Sequence, residues 1–226
     1  MSRLIANSLM ATTLCWLAVV LNSVECVSGQ SIHDKLSSAY DEVAAKCGRG
    51  DYRGAIIVAD IALRDAASVI ETDWRVIARL HNLRGTAHQQ LDETASAAAD
   101  YEAARDIYNG RSDALSRLNV AVANGNLGTL AEKDNRYVEA LALYRKGLPE
   151  LEAAARLPKA DSSVVHAYVA LLVDIASAEG KLGYFDESEK TFRKAIELYG
   201  PQSPPAGKVW SDLGGMLLHR GLIGDN

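Results

Sequence analysis

The sequence is poor in aromatic residues and in cysteine, and neither sign of charge is in large excess. Aromatic residues make up 6% of the 226 residues, with two Phe and three Trp, whereas alanine recurs in runs at 97–99 and 153–155. Aromatic and β-branched residues favour strands and alanine favours helices, so this composition predicts a helical protein. The hydrophobic share of 48% and the charged share of 23% exclude a disordered tail and leave room for one or two small globular domains.

The formal net charge is only −5 at pH 7. Such a chain has no basic excess with which to displace counterions from a phosphate polymer. We therefore predict no nucleic-acid partner.

The N-terminal segment has the anatomy of a signal peptide. Arg3 precedes an uncharged stretch, Leu9 to Leu21, and small residues follow at Ser28 and Gly29. Residues 1–29 are therefore predicted to be a cleaved signal peptide, so that the mature protein is exported to the periplasm or the extracellular space and has no membrane contact. The alternative is a retained anchor over 5–24, a length that just reaches the ~20 residues that a bilayer requires.

Cleavage would leave a single cysteine, because Cys15 and Cys26 lie in the removed segment. The mature chain then has no internal disulfide and depends on packing for its stability. We interpret Cys47 as a buried small apolar residue. The alternative is an intermolecular disulfide or redox site.

From residue 31 onward the sequence repeats itself. Equivalent turn positions at Gly50, Asp92, Asn135 and Gly183 follow one another at intervals of 42, 43 and 48 residues. In the clearest unit, Leu127-Gly128 precedes the turn and Tyr144 follows it, as Phe192 follows the turn at Gly183. An internal period of this size indicates a repeat array, in which stacked units bury their shared faces.

This pattern resembles the tetratricopeptide repeat, which has Trp and Leu-Gly on its first helix and Ala, an aromatic residue and Ala on its second. Residues 210–221 match the first-helix spacing fully, and 127–148 match both helices except for Gly147. The resemblance implies an all-α fold, a right-handed helix-turn-helix superhelix or α-solenoid of about 4.5 repeats. The intervals exceed the usual period of about 34 residues, which is similar to the longer repeats of kinesin light chains and predicts a long-period variety of about 42 residues.

The predicted repeat domain spans 30–226, although the helix register of its first two repeats stays open. Its units are predicted at 32–70, 74–108, 114–156 and 163–199, with a terminal capping helix at 207–221. The individual helices are predicted at 32–48, 52–70, 74–91, 93–108, 114–133, 137–156, 163–182, 185–199 and 207–221.

Catalytic and cofactor motifs are missing from the predicted mature chain. It has no zinc-protease helix, no nucleophile elbow and no phosphate-binding loop. His81 and His88 lie seven residues apart, which is too far for one shared metal, so we interpret them as packing or surface residues. Arg49-Gly50-Asp51 spells an adhesion tripeptide but falls at a predicted interhelical turn. The sequence therefore predicts no enzyme, no cofactor and no metal.

The resemblance implies that the first helices of each unit line a concave groove, and this groove is the predicted partner site. Its lining is small, neutral and polar, which suits an extended peptide or a partner helix. The alternative is that small residues there only permit tight curvature. The predicted groove residues are Asn82, Thr86, Gln89, Val122, Gly125, Thr129, Lys133, Val173, Ser177, Lys181 and Ser211.

Two functions follow as hypotheses. The first is an exported, non-catalytic scaffold that binds a protein or peptide in this groove. The second is a self-assembling structural protein of the cell envelope that associates through its C-terminal helix.

Overall fold

The computed structural model describes residues 32–66 and 69–224. The predicted signal peptide, 1–29, lies outside the described residues. All regular elements within the described ranges are α-helices, without a strand. They are α1 (32–48), α2 (Tyr52–Asp65), α3 (Ile70–Gln90), α4 (Thr94–Asn109), α5 (Ala114–Lys133), α6 (Tyr137–Ala155), α7 (Ser162–Lys181), α8 (Phe185–Tyr199) and α9 (Pro204–Gly224).

Aspartates begin three of these helices. The side chains of Asp51, Asp113 and Asp161 accept hydrogen bonds from the backbone N–H groups of Gly54, Ser116 and Ser163 at 3.0, 3.1 and 2.8 Å. Each bond satisfies an amide that has no partner within its helix, which favours the helix start at that residue.

Left-handed residues mark the four turns from which the repeat is counted. Gly50, Asp92, Asn135 and Gly183 have φ angles of 78°, 61°, 60° and 82°. Glycine adopts this conformation without steric cost, and Asn and Asp tolerate it better than other residues. Local backbone chemistry therefore places the same turn at each position. The assignment to a long-period variety stays a prediction.

Three helix predictions were wrong at their ends by more than one residue. The helix predicted over 52–70 ends at Asp65, and the one predicted to begin at 74 begins at Ile70 with a kink at Asp73 (φ −107°, ψ 18°). The helix predicted at 207–221 runs over Pro204–Gly224. Proline is accommodated in a first turn because the amide it lacks would have no helical partner there.

The chain divides into two compact units, Met1–Arg84 and Gly85–Asn226, with the boundary inside α3. In the first unit, the described core includes Leu36, Val43, Ala59 and Ile77. The predicted division of 30–226 into five segments stays a prediction.

In the second unit each helix packs against the next one in the chain, and α7 also contacts α5 and α9. The core of this unit contains Tyr144, Tyr168, Phe192 and Ile196. Because α5, α7 and α9 are alternate helices in sequence yet touch, these three first helices lie side by side.

Glycines on the first helices make room for tyrosine rings of the second helices. A Cβ atom at Gly85 would lie 2.9 Å from Cε1 of Tyr101, and one at Gly128 would lie 2.4 Å from Cε1 of Tyr144. Both rings are almost fully buried. The Leu-Gly signal in the sequence thus has a direct steric cause.

One described helix, α7, is long and apolar enough to cross a membrane by length and composition alone. Half of the 18-residue apolar stretch within this helix is buried inside the protein. The core helix of a water-soluble domain passes the same test, so this is weak evidence for a span.

Candidate functional site

Tyrosine hydroxyl groups tie helix pairs together in two successive repeats. The hydroxyl of Tyr101 donates to Oε1 of Gln89 at 2.6 Å, and that of Tyr144 donates to Oε2 of Glu132 at 2.9 Å. Each hydroxyl also lies near a threonine, Thr86 at 3.4 Å and Thr129 at 3.5 Å. The predicted groove residues Thr86, Gln89 and Thr129 therefore make contacts within the protein.

The next repeat lacks the hydrogen bond between a tyrosine hydroxyl and the first helix. A shift of 48 residues aligns Phe192 with Tyr144, Gly180 with Glu132 and Ser177 with Thr129. Phe192 has no hydroxyl group and Gly180 has no acceptor, so both partners of the hydrogen bond are lost together. Ser177 instead donates to Oε1 of Glu132 at 2.8 Å, which links α7 to α5.

A cavity of about 490 Å³ lies where that hydrogen bond is missing, between α7 and α9; we call it the α7–α9 cavity. Four predicted groove residues come together in its lining. The lining consists of Val173, Asp174, Ser177, Gly180, Lys181, Phe192, Lys208, Ser211, Asp212, Gly215, Met216 and His219.

Asp174 is the most unusual group in this lining. Its side chain is half-buried, and within the described residues it has no hydrogen-bond partner. Burial, followed by repulsion from Glu132, raises the pKa of Asp174 to about 7, while the Lys208 ammonium acts in the opposite direction. Lys208 itself contacts Asp212 at 3.3 Å. Asp174 is therefore partly protonated near neutral pH and available to a ligand.

The sequence prediction missed Asp174. The sequence feature that could have revealed it is a single carboxylate within the apolar run Leu171–Ile175. A carboxylate in that setting is either paired, protonated or functional.

The other predicted groove residues do not line this cavity. Asn82 is half-buried on α3 in the first unit, and Val122 and Gly125 are half-buried on α5. A Cβ atom at Gly125 would lie 3.7 Å from Cδ1 of Leu171, an ordinary contact. Lys133 forms an ion pair with Asp92. That these residues bind a partner stays a prediction.

Other reactive groups in the described residues are weaker candidates for a functional site. No group of three His, Cys, Asp or Glu side chains converges there as a metal site. His88 contacts Glu93 at 2.5 Å through Nδ1. Burial raises the pKa of the half-buried Cys47 thiol, which reduces its reactive thiolate fraction. A second cavity, of about 590 Å³, lies in the first unit beside Leu36 and Ile61.

Comparisons with known proteins define the class as an all-α helical repeat protein. BtubC (BKLC) from P. vanneervenii is 14% identical with a TM-score of 0.67 over 84% of this chain and 74% of its own. A putative kinesin light chain with TPR-like repeats from Podosopora anserina is 12% identical with a TM-score of 0.66, over 85% of this chain and 90% of its own. Yeast Hif1, described as a histone chaperone and scaffold protein, is 12% identical. Its TM-score is 0.63 over 88% of this chain and 98% of its own.

The sequence profile of the tetratricopeptide repeat matches residues 169–200, which include most of α7 and all of α8. No curated protein matches the sequence. Residues 169–200 thus match a tetratricopeptide repeat, and the described residues have the fold of TPR-like repeat proteins, as the sequence pattern predicted.

Proposed function

We propose that the chain is an exported, non-catalytic scaffold that holds a peptide or a partner helix against α5, α7 and α9. The observation that carries this proposal is the convergence of Val173, Ser177, Lys181 and Ser211 on one open cavity. A concave site with an apolar floor and a few polar groups is the usual form of a ligand site.

The chemistry of the cavity favours an extended peptide with a basic group. Phe192 and Met216 supply an apolar floor, while Ser211 offers a hydroxyl group to a peptide backbone. Asp174 supplies a carboxylate without a hydrogen-bond partner in the described part of the chain. A lysine, an arginine or a terminal amine placed beside Asp174 would hold it ionised and form a charge-assisted bond.

Peptide selection tests this site. Purified protein is used to select short peptides from a displayed random library, and fluorescence anisotropy then measures the Kd of the best sequence. Ser211→Arg places a bulky cation at the cavity rim, and we expect it to weaken binding at least about tenfold, or roughly 1.4 kcal/mol.

The matched control is Ser96→Arg, the same change at an exposed position on α4. It should leave the Kd unchanged. Equal loss in both variants, or no loss in Ser211→Arg, would place peptide binding outside the α7–α9 cavity.

Export is supported by the signal-peptide pattern of residues 1–29. Expression of the full sequence in a secreting host, followed by fractionation and intact-mass measurement, tests it. A product that begins near residue 30 in the exported fraction is the expected result. An uncleaved product that remains with membranes would favour the anchor instead.

Self-assembly through the C-terminal helix is a second candidate function. It is favoured by the apolar residues that α9 leaves in solvent, among them Trp210 and Leu222. Light scattering of the purified protein over the micromolar range tests it, and a monomer throughout would contradict it.

A further inference from the structure

Helix α9 has the sequence of a first helix but has no second helix packed on it in the described residues. The repeat register aligns Gly214 with Gly128, whose surface is covered by the ring of Tyr144. At Gly214 no atom lies within 4 Å of the position that a Cβ atom would occupy. The notch that receives an aromatic ring in the preceding unit is therefore empty here.

The face of α9 that no other described helix covers is apolar. A helix face in a repeat protein that stays in solvent is normally polar. In α9, Trp210, Leu217 and Leu222 are 44%, 38% and 73% exposed. The indole N–H of Trp210 donates to the carbonyl of Pro201 at 3.4 Å, so the exposed part of the ring is apolar. This surface has the composition of an interface.

Four residues form one stripe on that face, which we call the α9 stripe: Trp210, Gly214, Leu217 and Gly221. Their spacings of four, three and four residues place them on one side of a helix. Along the stripe a large residue alternates with a glycine.

The α9 stripe is complementary to the stripe of a second copy of α9 that runs in the opposite direction. If two copies pack antiparallel about a two-fold axis between Gly214 and Leu217, then Trp210 meets the partner's Gly221. Gly214 in turn meets the partner's Leu217. Every large residue then faces a glycine, so two helices approach closely and the apolar side chains fill the opposite notches.

Charged residues beside the stripe do not oppose this pairing. Arg220 reaches back to α8, where its guanidinium lies 2.8 Å from Asp186 and 3.8 Å from Glu189. Lys208 and Asp212, which are paired with each other, line the α7–α9 cavity on the opposite side of the helix. The stripe itself has no ionisable group to desolvate.

We propose that the chain forms a two-fold symmetric dimer by antiparallel packing of α9 against α9 along this stripe. The proposal rests on the self-assembly proposed above and gives it a partner, a second copy, and a register. The same face would otherwise receive a helix of a different protein, in which case the purified chain would stay monomeric.

A size-swap experiment tests the register by light scattering. The unchanged protein is expected to shift from monomer to dimer with rising concentration. Gly214→Leu fills the notch that receives the partner's Leu217 and should raise the dimer Kd at least about tenfold. Gly214→Leu combined with Leu217→Ala only exchanges the large and small positions, so dimerisation should return.

Cysteine pairing gives an independent readout. In a Cys47→Ala background, a Gly214→Cys chain mixed with a Leu217→Cys chain should form a mixed disulfide faster than a mixture of Gly214→Cys and Ser211→Cys chains. A monomer at every concentration would overturn both self-assembly and this dimer. A dimer that tolerates Gly214→Leu and shows no preferred mixed disulfide would overturn the α9 register while self-assembly still held.

Discussion

At the scale of single residues, the presence or absence of one atom decides what each repeat does. Gly128 lacks a Cβ atom and so admits the Tyr144 ring, whereas at Gly180 the missing Cβ atom admits Met216 of α9, whose Cγ would lie 3.0 Å away. Phe192 differs from Tyr144 by one hydroxyl group, yet it forms the floor of a cavity rather than a hydrogen bond. The repeat is thus a fixed scaffold in which small differences create a local site.

Gly128→Ala should destabilise the protein by about 2 kcal/mol, because the new Cβ atom would lie 2.4 Å from a buried ring that is confined by the core. Urea unfolding followed by circular dichroism measures the change. Gly125→Ala is the control, since its nearest neighbour would be 3.7 Å away. Alanine has a higher helix propensity than glycine, so that variant should be neutral or more stable by roughly 0.5–1 kcal/mol. Equal destabilisation by both would contradict the steric explanation.

Asp174 should give the protein a pH-dependent stability. Its pKa of about 7 exceeds the ordinary value of 3.8, so the folded state retains a proton that the unfolded chain releases. The free energy of unfolding should therefore fall as pH rises from about 4 to about 7, and stay level above that range.

Asp174→Asn should remove this dependence and stabilise the protein at pH 8 by an amount on the order of 2 kcal/mol, with little gain at pH 4. Urea unfolding at several pH values measures it. Glu197→Gln, at an exposed carboxylate on α8, is the control. A variant whose stability follows the pH curve of the unchanged protein would show that Asp174 is not the titrating group.

At the scale of elements, helix ends followed local chemistry closely and helix junctions did not. The bounds predicted for α1, α5 and α8 are those observed, since each is bracketed by a cap or a turn residue. The junction of α2 and α3 was misplaced because the apolar spacing continues past Asp65 without a proline or glycine. Where no residue specifies the break, packing decides it.

Gly183→Ala should cost about 1 kcal/mol, because φ at this turn is 82° and a side chain is strained there although space is free. Gly183→Asn should cost less, since Asn135 already adopts the same conformation with φ of 60° in the preceding turn. Thermal unfolding by circular dichroism ranks the two. A larger loss for Asn than for Ala would contradict a backbone origin.

At the scale of the whole molecule, the second unit is a stack in which each helix is stabilised by its neighbours. Helix α9 buries Val209, Leu213 and Met216 against the preceding helices while leaving the α9 stripe exposed. Helix α9 therefore has a buried face that packs on the stack and an exposed face that carries the α9 stripe. Mutations can change one face without changing the other.

Ending the chain after Ser203 should remove several kcal/mol of stability, because it exposes the core that α9 covers. Unfolding midpoints and binding of an apolar dye measure this loss. At concentrations where the protein is monomeric, Leu217→Ala should leave both unchanged, since Leu217 is on the outer face. A truncated protein as stable as the full chain would mean that α9 is not part of the stack.

The sequence by itself determined the all-α class, the repeat pattern and the positions of the turns. These features depend on spacing and on local backbone preference, which neighbouring residues along the chain specify. Only the tertiary structure showed which of the predicted groove residues share a cavity, that Asp174 is half-buried inside it, and that α9 leaves Trp210 partly uncovered. Those features depend on which side chains of different repeats meet, and packing of distant residues rather than any local signal decides that.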